Sequence, residues 1–213
     1  MFRDREDTAY RLADKLKGRE LHDPLVLAIP RGGVVTGAVL ARELGAELDV
    51  VLARKLRAPL QPELAIGAVS EDGQVYLDPR AREVLDLEEG YLAEELRHQV
   101  QEMERRKQLF RAVRPKAAVA GRSVIVTDDG IATGSTMIAA LHTVAAQGPH
   151  EVIAAVPVAS PERLADVGRW CDDVVCALVP AELWAVGSFY EDFTQVEDEE
   201  VLRLLRSVNR GPA

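Results

Sequence analysis

The chain has 213 residues, 47% hydrophobic and 29% charged, which excludes wholesale disorder and allows a buried core without disulfide or metal staples. Against 26 Lys+Arg stand 35 Asp+Glu, a net charge of -9 that excludes a diffuse polycation for nucleic acid and, taken alone, argues against a phosphate-rich ligand. Aromatics at 5%, beside abundant Ala, Val and Leu, suit a parallel sheet under helices better than a sandwich or barrel.

The N-terminal stretch MFRDREDTAYRLADKLKGRE is dense in charge and lacks an apolar h-region, so it does not read as a signal peptide. Within it, Ala9, Tyr10, Leu12, Ala13 and Leu16 recur at helical spacing and predict an amphipathic helix over 6–17. Asp23-Pro24 breaks the chain before the apolar run Leu25–Ile29, which reads as a buried strand. Pro30-Arg31-Gly32-Gly33 ends that strand, and Val34–Leu44 returns to helical period until Gly45. Asp49–Ala53 predicts a second strand, running out into the basic loop Arg54-Lys55-Leu56-Arg57-Ala58-Pro59.

The character changes over 60–120. Ile66–Ser70 and Gln74–Leu77, separated by Glu71-Asp72-Gly73, predict a β-hairpin. Asp78-Pro79 then opens a charged helical stretch to Val113 with a thin apolar stripe. This segment is expected to be an insertion, a mobile lid or an interaction arm. Regular alternation resumes with a strand at Ser123–Thr127, a loop at Asp128–Ser135 and a helix at Thr136–Gln147. A strand at Val152–Val158, a helix from about Pro161 to Arg169 and a last core strand at Asp173–Leu178 follow. Cys171 and Cys176 flank or occupy that strand with no His beside them, so they read as plain thiols in a reducing compartment. The tail, 179–213, mixes aromatics with a helix from about Asp198 to Ser207. No apolar run approaches the roughly 20 residues of a membrane span, and a soluble, cytoplasmic protein is expected.

The most informative stretch is Val124–Met137, VIVTDDGIATGSTM. A buried strand delivers Asp128 and Asp129 to its carboxyl end; Gly130, Thr133, Gly134, Ser135 and Thr136 follow, and a helix begins. Free N–H groups and the dipole at that helix start suit a phosphate, and the hydroxyls add donors. Paired carboxylates would repel the phosphate, so they are expected to accept from sugar hydroxyls or to hold Mg2+, directly or through water. A P-loop is excluded because no Lys stands between Gly134 and Thr136, and Arg31-Gly32-Gly33 supplies no dinucleotide fingerprint.

On these residues the chain resembles the type I phosphoribosyltransferase family, whose phosphoribosyl diphosphate loop matches D-D-G-I-A-T-G-S-T at nearly every position. The resemblance spans most of 24–195. It implies a doubly wound, mostly parallel sheet of about five strands, an inserted flexible arm and a small C-terminal hood. It implies that Asp128 and Asp129 contact the ribose 2- and 3-hydroxyls while Gly130 and Ile131 lead into Ala132–Thr136 around the 5-phosphate. By the same resemblance, Arg54, Lys55 and Arg57 lie in the pyrophosphate loop, where relatives carry a non-proline cis peptide. Arg31, with Gly32 and Gly33 permitting close approach, would offer donors to an oxyanion. Glu104, Arg105, Arg106 and Lys107 are candidates for reaching the pyrophosphate from the arm.

In the tail, Leu183-Trp184-Ala185-Val186-Gly187 and Tyr190-Glu191-Asp192 resemble the base pocket of the 6-oxopurine branch, with Trp184 as stacking platform and Val186 beside it. Two positions depart from that branch: Ala132 stands where it carries an acid, and no Lys lies near Val158–Ser160. The A-T-G form is closer to the adenine and orotate branches. The expected activity is transfer of ribose 5-phosphate from phosphoribosyl diphosphate to a nitrogen of a small heterocyclic base, with Mg2+ and release of pyrophosphate. No nucleophilic side chain is needed, which fits the scatter of the four His residues. A second reading is a non-catalytic sensor of phosphoribosyl diphosphate or a nucleotide; Ala132 is compatible with it and the basic 54–57 stretch speaks against it. Relatives are commonly dimers or tetramers, so a homo-oligomer is also implied.

Overall fold

The computed structural model describes residues 1–59, 61–77 and 89–208. The expected helix opening at Asp78-Pro79 lies outside the described residues, as do Leu60 and the last five residues. Five strands form a parallel sheet in the order β2 (Glu47–Val50), β1 (Leu25–Ala28), β6 (Ser123–Thr127), β7 (Glu151–Val158), β8 (Asp173–Leu178). The helices that connect them are α2 (Gly33–Leu44), α4 (Ser135–Ala145) and α5 (Pro161–Val167), preceded by α1 (Arg5–Leu16) and followed by α6 (Asp198–Val208).

Period-two burial explains why the apolar runs become sheet core. Val26, Ala28, Ile125, Ile153 and Ala155 pack on one face with Leu12, Leu40 and Leu204. Leu25, Leu27, Val124, Val126 and Val152 pack on the other with Leu141 and Val144. Both faces of β1, β6 and β7 are therefore covered, as expected for a parallel sheet under helices. At Gly37 a Cβ would stand 2.8 Å from the Cβ of Ala28, so α2 approaches β1 closely because that position lacks one. Gly45, at φ 62°, ends α2 in the left-handed conformation that favours glycine.

The chain moves from β1 to β2 on one side and returns through β6 on the other. Strand order thus reverses between β1 and β6, and open α/β sheets bind ligands at the carboxyl ends of such strands. Ala28 pairs with Thr127, so the loops after β1 and β6 leave the sheet side by side.

Between β2 and β6 the chain makes an excursion. β3 (Ala53–Ala58), β4 (Gln61–Ser70) and β5 (Val75–Leu77) form an antiparallel sheet, followed by α3 (Glu89–Arg111). The expected hairpin is present as β4 and β5. The stretch Arg54–Arg57, expected as a loop, is instead strand β3, and β2 ends at Val50 rather than Ala53. Charge masked an alternation: Leu56 is fully buried between the half-buried Lys55 and Arg57, and Lys55 pairs with Ala68.

One buried ionic network pins the end of α3. The Arg111 guanidinium donates to both oxygens of Asp49 at 2.8 and 3.0 Å, and to both oxygens of Glu71 at 2.7 and 2.8 Å. It also donates to the Val50 carbonyl at 3.1 Å, and Asp49 accepts the Ala117 N–H at 2.9 Å. Burial lowers the proton affinity of this guanidinium, but Glu71 and Asp49 more than offset it, so Arg111 stays charged. Removing the cation would leave two buried carboxylates uncompensated. Arg111→Met is expected to lower the unfolding free energy by about 3–5 kcal/mol, read from urea denaturation, whereas Arg105→Met, at an exposed pair, changes it by less than about 1 kcal/mol.

Candidate active site

The loop after β6 is held from three directions. Ile131 donates its N–H to the Val158 carbonyl at 2.9 Å and buries its side chain, 3% exposed, in the sheet core. Gly130, at φ 153°, passes under the short 3-10 turn Val186–Phe189; a Cβ there would stand 2.5 Å from Val186 Cγ1. Tyr190 donates its hydroxyl to the Asp129 carbonyl at 2.7 Å. Burial pushes the Tyr190 phenol well above its ordinary range, so it stays a donor.

The loop after β1 closes the remaining side. A Cβ on Gly32 would fall 1.9 Å from Asp129 Oδ2, and one on Gly33 would fall 2.8 Å from Asp128 Cα. Only glycine allows the two loops this separation. A cis peptide joins Pro30 to Arg31, and Val34 and Val35 donate their N–H groups back to the Arg31 and Gly32 carbonyls at 3.1 Å. The resemblance expected the non-proline cis bond within 54–57. It lies instead between Pro30 and Arg31, in the loop after β1, while Arg54–Arg57 pairs antiparallel with β4.

Asp128 and Asp129 stand half-buried at the meeting point of these loops. Asp128 Oδ1 accepts the Asp129 N–H at 2.8 Å, and Asp129 Oδ2 accepts from Arg5 Nε at 2.9 Å. Burial, and then the neighbouring Asp129 carboxylate, push the Asp128 carboxyl well above the usual carboxylate range. The pair therefore has a strong demand for protons, hydroxyl donors or a cation. Next to it, α4 starts at Gly134, φ 84°, with no side-chain cap. Ala132, Thr133 and Thr136 are exposed there and Ser135 is half-buried, while Thr133 donates its hydroxyl to Ser135 Oγ at 3.5 Å. An uncapped helix start with nearby hydroxyls is a ready anion site.

Beside this loop opens a cleft of about 400 Å3 lined by Ile29, Pro30, Val51–Lys55, Arg57, Gln99, Met103, Arg106 and Thr136. It gathers cations in an acidic protein. The Arg106 guanidinium is pushed below its ordinary value, first by burial and then by the charge of Arg54, with Arg31 and Arg105 adding and Asp198 opposing. Arg54 donates to Gln99 Oε1 at 3.1 Å and lies 4.0 Å from Glu102. Arg31 pairs with Glu197 at 3.3 Å on the exposed side.

The expected site residues divide accordingly. Asp128, Asp129, Gly130, Ala132–Thr136, Arg31, Gly32, Gly33, Arg54 and Lys55 stand along one end of the sheet. Arg57 lines the cleft but is neutralised by Glu95, whose carboxylate accepts its Nε at 2.8 Å, its NH2 at 2.9 Å and its backbone N–H at 3.0 Å. Ile131 acts through its backbone, since its side chain belongs to the core. Trp184 is 90% exposed on the hood, two residues from Val186 and outside the cleft lining. Among the arm candidates only Arg106 lines the cleft; Arg105 pairs with Asp198 at 3.5 Å, Lys107 donates to the Glu71 carbonyl at 3.1 Å, and Glu104 is exposed. Arg5 and Gln99 are additions that no motif flags; Arg5 lies 124 residues from Asp129 and stands one residue before the helix that periodicity predicts over 6–17.

A model of the phosphoribosyl transferase domain matches residues 3–192. Two Mycobacterium tuberculosis proteins, named "Putative phosphoribosyl transferase" MT0597 and Rv0571c, are each 39% identical over 210 residues, covering 99% of this chain and 47% of theirs. The chain thus spans about half the length of the curated relatives it matches. The crystal structure of TT1426 from Thermus thermophilus is similar over 96% of this chain and 97% of that one, with TM-score 0.91 and 46% identity. APRTase from Giardia lamblia, complexed with 9-deazaadenine, shares the fold at TM-score 0.50 and 12% identity over 84% of this chain and 80% of its own.

The Asp128 carboxyl gives a pH prediction. The folded state binds its proton more tightly than the unfolded chain does. Its contribution to stability is fully present below the ordinary value of 3.8 and is lost as pH rises through the elevated folded value. Asp128→Asn, which keeps an acceptor for the Asp129 N–H, is expected to raise Tm near pH 7 in metal-free buffer, with the gain vanishing toward about pH 4.

Proposed function

We propose, on the premise that the chain belongs to the phosphoribosyl transferase family, that it transfers ribose 5-phosphate from phosphoribosyl diphosphate to a nitrogen of a heterocyclic base. The observation that carries this reading is the adjacency, at the one point where strand order reverses, of a half-buried acid pair, an uncapped helix start and a cationic cleft. Those three features match the hydroxyls, the 5-phosphate and the pyrophosphate of a single donor.

The donor's 5-phosphate is held by Ala132–Thr136 and the first N–H groups of α4. Its 2- and 3-hydroxyls donate to Asp128 and Asp129. Its pyrophosphate lies along Pro30–Gly33 toward Arg54, Lys55 and Arg106, with Arg31 at the rim. The reaction breaks the bond between C1 and the pyrophosphate oxygen, which leaves with the electron pair; the lone pair of the acceptor nitrogen closes the new bond to C1, and the proton that nitrogen carried is lost to solvent. Donors aimed at the leaving oxygens act where charge accumulates, which is the main route to catalysis without a nucleophile. The two carboxylates position the ring and favour the positive charge that develops on it as the bond to pyrophosphate lengthens. The base then sits under the hood segment Leu183–Gly187, on the Val186 side of Gly130, with the exposed Trp184 as its stacking platform.

The acid pair fits Mg2+ as part of a shared site. The raised proton affinity of Asp128 marks an unmet demand for positive charge, and carboxylate oxygens are ligands of the right hardness. Among the described residues no group of three or more His, Cys, Asp or Glu gathers for a metal, so Asp128 and Asp129 would hold the ion together with donor oxygens and water. When bound, the ion supplies positive charge to the oxygens of the departing pyrophosphate.

Incubation with phosphoribosyl diphosphate, Mg2+ and a panel of purine and pyrimidine bases tests the reading by pyrophosphate release. Release is expected only with a matching base. Asp129→Asn is expected to cut turnover by roughly 100-fold or more, and Arg54→Ala to do so by at least about tenfold. Tight donor binding without release for any base would overturn the transferase reading, and so would release that needs no acceptor.

A further inference from the structure

The acid pair is also reached from a direction that no loop motif suggests. Phe2, 2% exposed, pairs in parallel with Tyr190. Its N–H donates to the Phe189 carbonyl, and the N–H groups of Glu191 and Asp192 donate back to the Phe2 and Arg3 carbonyls, all at 2.8 Å. Asp4 caps α1 by accepting the Asp7 N–H at 2.8 Å. This ladder and cap fix where the first residue of the helix, Arg5, can point.

Arg5 points at the acid pair. Its Nε donates to Asp129 Oδ2 at 2.9 Å, its NH1 donates to the Thr194 carbonyl at 2.9 Å, and its Cζ lies 4.0 Å from the centroid of the Phe193 ring. The side chain is 10% exposed, so this is not a solvated surface pair. A Cβ on Gly32 would also crowd the same Nε, at 3.1 Å. The guanidinium fork is thus divided between a carboxylate and a hood carbonyl, with an aromatic face and a glycine loop closing the remaining directions.

This geometry has a specific consequence for Asp129. With Oδ2 bound to an enclosed cation and the backbone carbonyl bound to Tyr190, neither the carboxylate nor its peptide can turn without breaking a charged or buried bond. We propose that Arg5 is a positioning residue of the ribose site: it sets the orientation in which Asp129 reads the sugar hydroxyls, and it makes the N-terminal segment and the hood the back wall of that site. The inference rests on the reading that the acid pair contacts ribose hydroxyls.

The test compares binding of ribose 5-phosphate, 2-deoxyribose 5-phosphate and inorganic pyrophosphate by NMR titration of wild type, Arg5→Met and Arg5→Lys. Wild type is expected to prefer the ribose sugar by about tenfold or more, as a site built around a hydroxyl does. Arg5→Met is expected to bring that preference close to unity while pyrophosphate affinity stays within about twofold, because the cationic cleft is untouched. Arg5→Lys, which restores a cation, recovers most of the preference. Should Arg5→Met fail to fold, Arg5→Gln, which keeps a donor for Thr194 without the charge, carries the same comparison. Full retention of the preference without the charge overturns the proposal, even if Tm falls. A parallel loss of affinity for all three ligands overturns it as well, since that marks a purely structural role. A wild type that binds both sugars equally sinks the ribose reading of the acid pair, and this inference with it.

Discussion

Parallel pairing of β1 with β6 forces two chains to leave the sheet one strand spacing apart, roughly 5 Å, and each must then turn into a helix. That separation leaves no room for side chains between the two turns, which is why Gly32 and Gly33 face Asp129 and Asp128. The rest of the site follows from this contact. It brings a helix start, an acid pair and a backbone-lined turn into one volume, and it fixes which side remains open for a ligand. The antiparallel sheet and α3 then supply the cations along that open side.

Two clusters of buried charge in the fold have opposite electrostatic balance. Around Arg111 the carboxylates of Asp49 and Glu71 receive several short donors from one guanidinium, and the network ties the excursion to the main sheet. Around Asp128 and Asp129, Arg5 is the cation in contact among the described residues, and burial beside Asp129 raises the proton affinity of Asp128. The first arrangement stabilises the fold. The second leaves charge uncompensated at a place where a ligand can supply what is missing, in keeping with the tendency of strained electrostatics to collect at functional sites.

Much of this was legible in the sequence because it depends on local pattern. Apolar runs bounded by Gly and Pro mark the five core strands, and T-D-D-G-I-A-T-G-S-T carries a strand end, an acid pair and a helix start within ten residues. The misplacements have physical reasons. Arg54–Arg57 was expected as a loop because three cations obscured the alternation of Leu56 and Ala58, which only becomes decisive when β4 pairs with it. Arg57 looks like a ligand residue in the sequence, yet Glu95 reaches it from α3, and no spacing rule links positions 38 residues apart. Arg5 was invisible for the same reason: the hood and the first helix meet only once the sheet has formed.

The cations of the cleft are already furnished with carboxylates of the same chain: Glu197 beside Arg31, Glu102 near Arg54 and Glu95 on Arg57. These acids act as tethered counterions. On the proposed function, a phosphate group arriving there competes with the exposed Glu197 and Glu102 for their cations, rather than only releasing small ions into solution, whereas Glu95 is buried against Arg57 and Gln99. Ion release is what normally makes phosphate capture fall steeply with added salt, so a site that carries its own counterions trades some intrinsic affinity for constancy across ionic strength. The acidity of the whole chain and the basicity of its cleft are, in this sense, two sides of one exchange equilibrium.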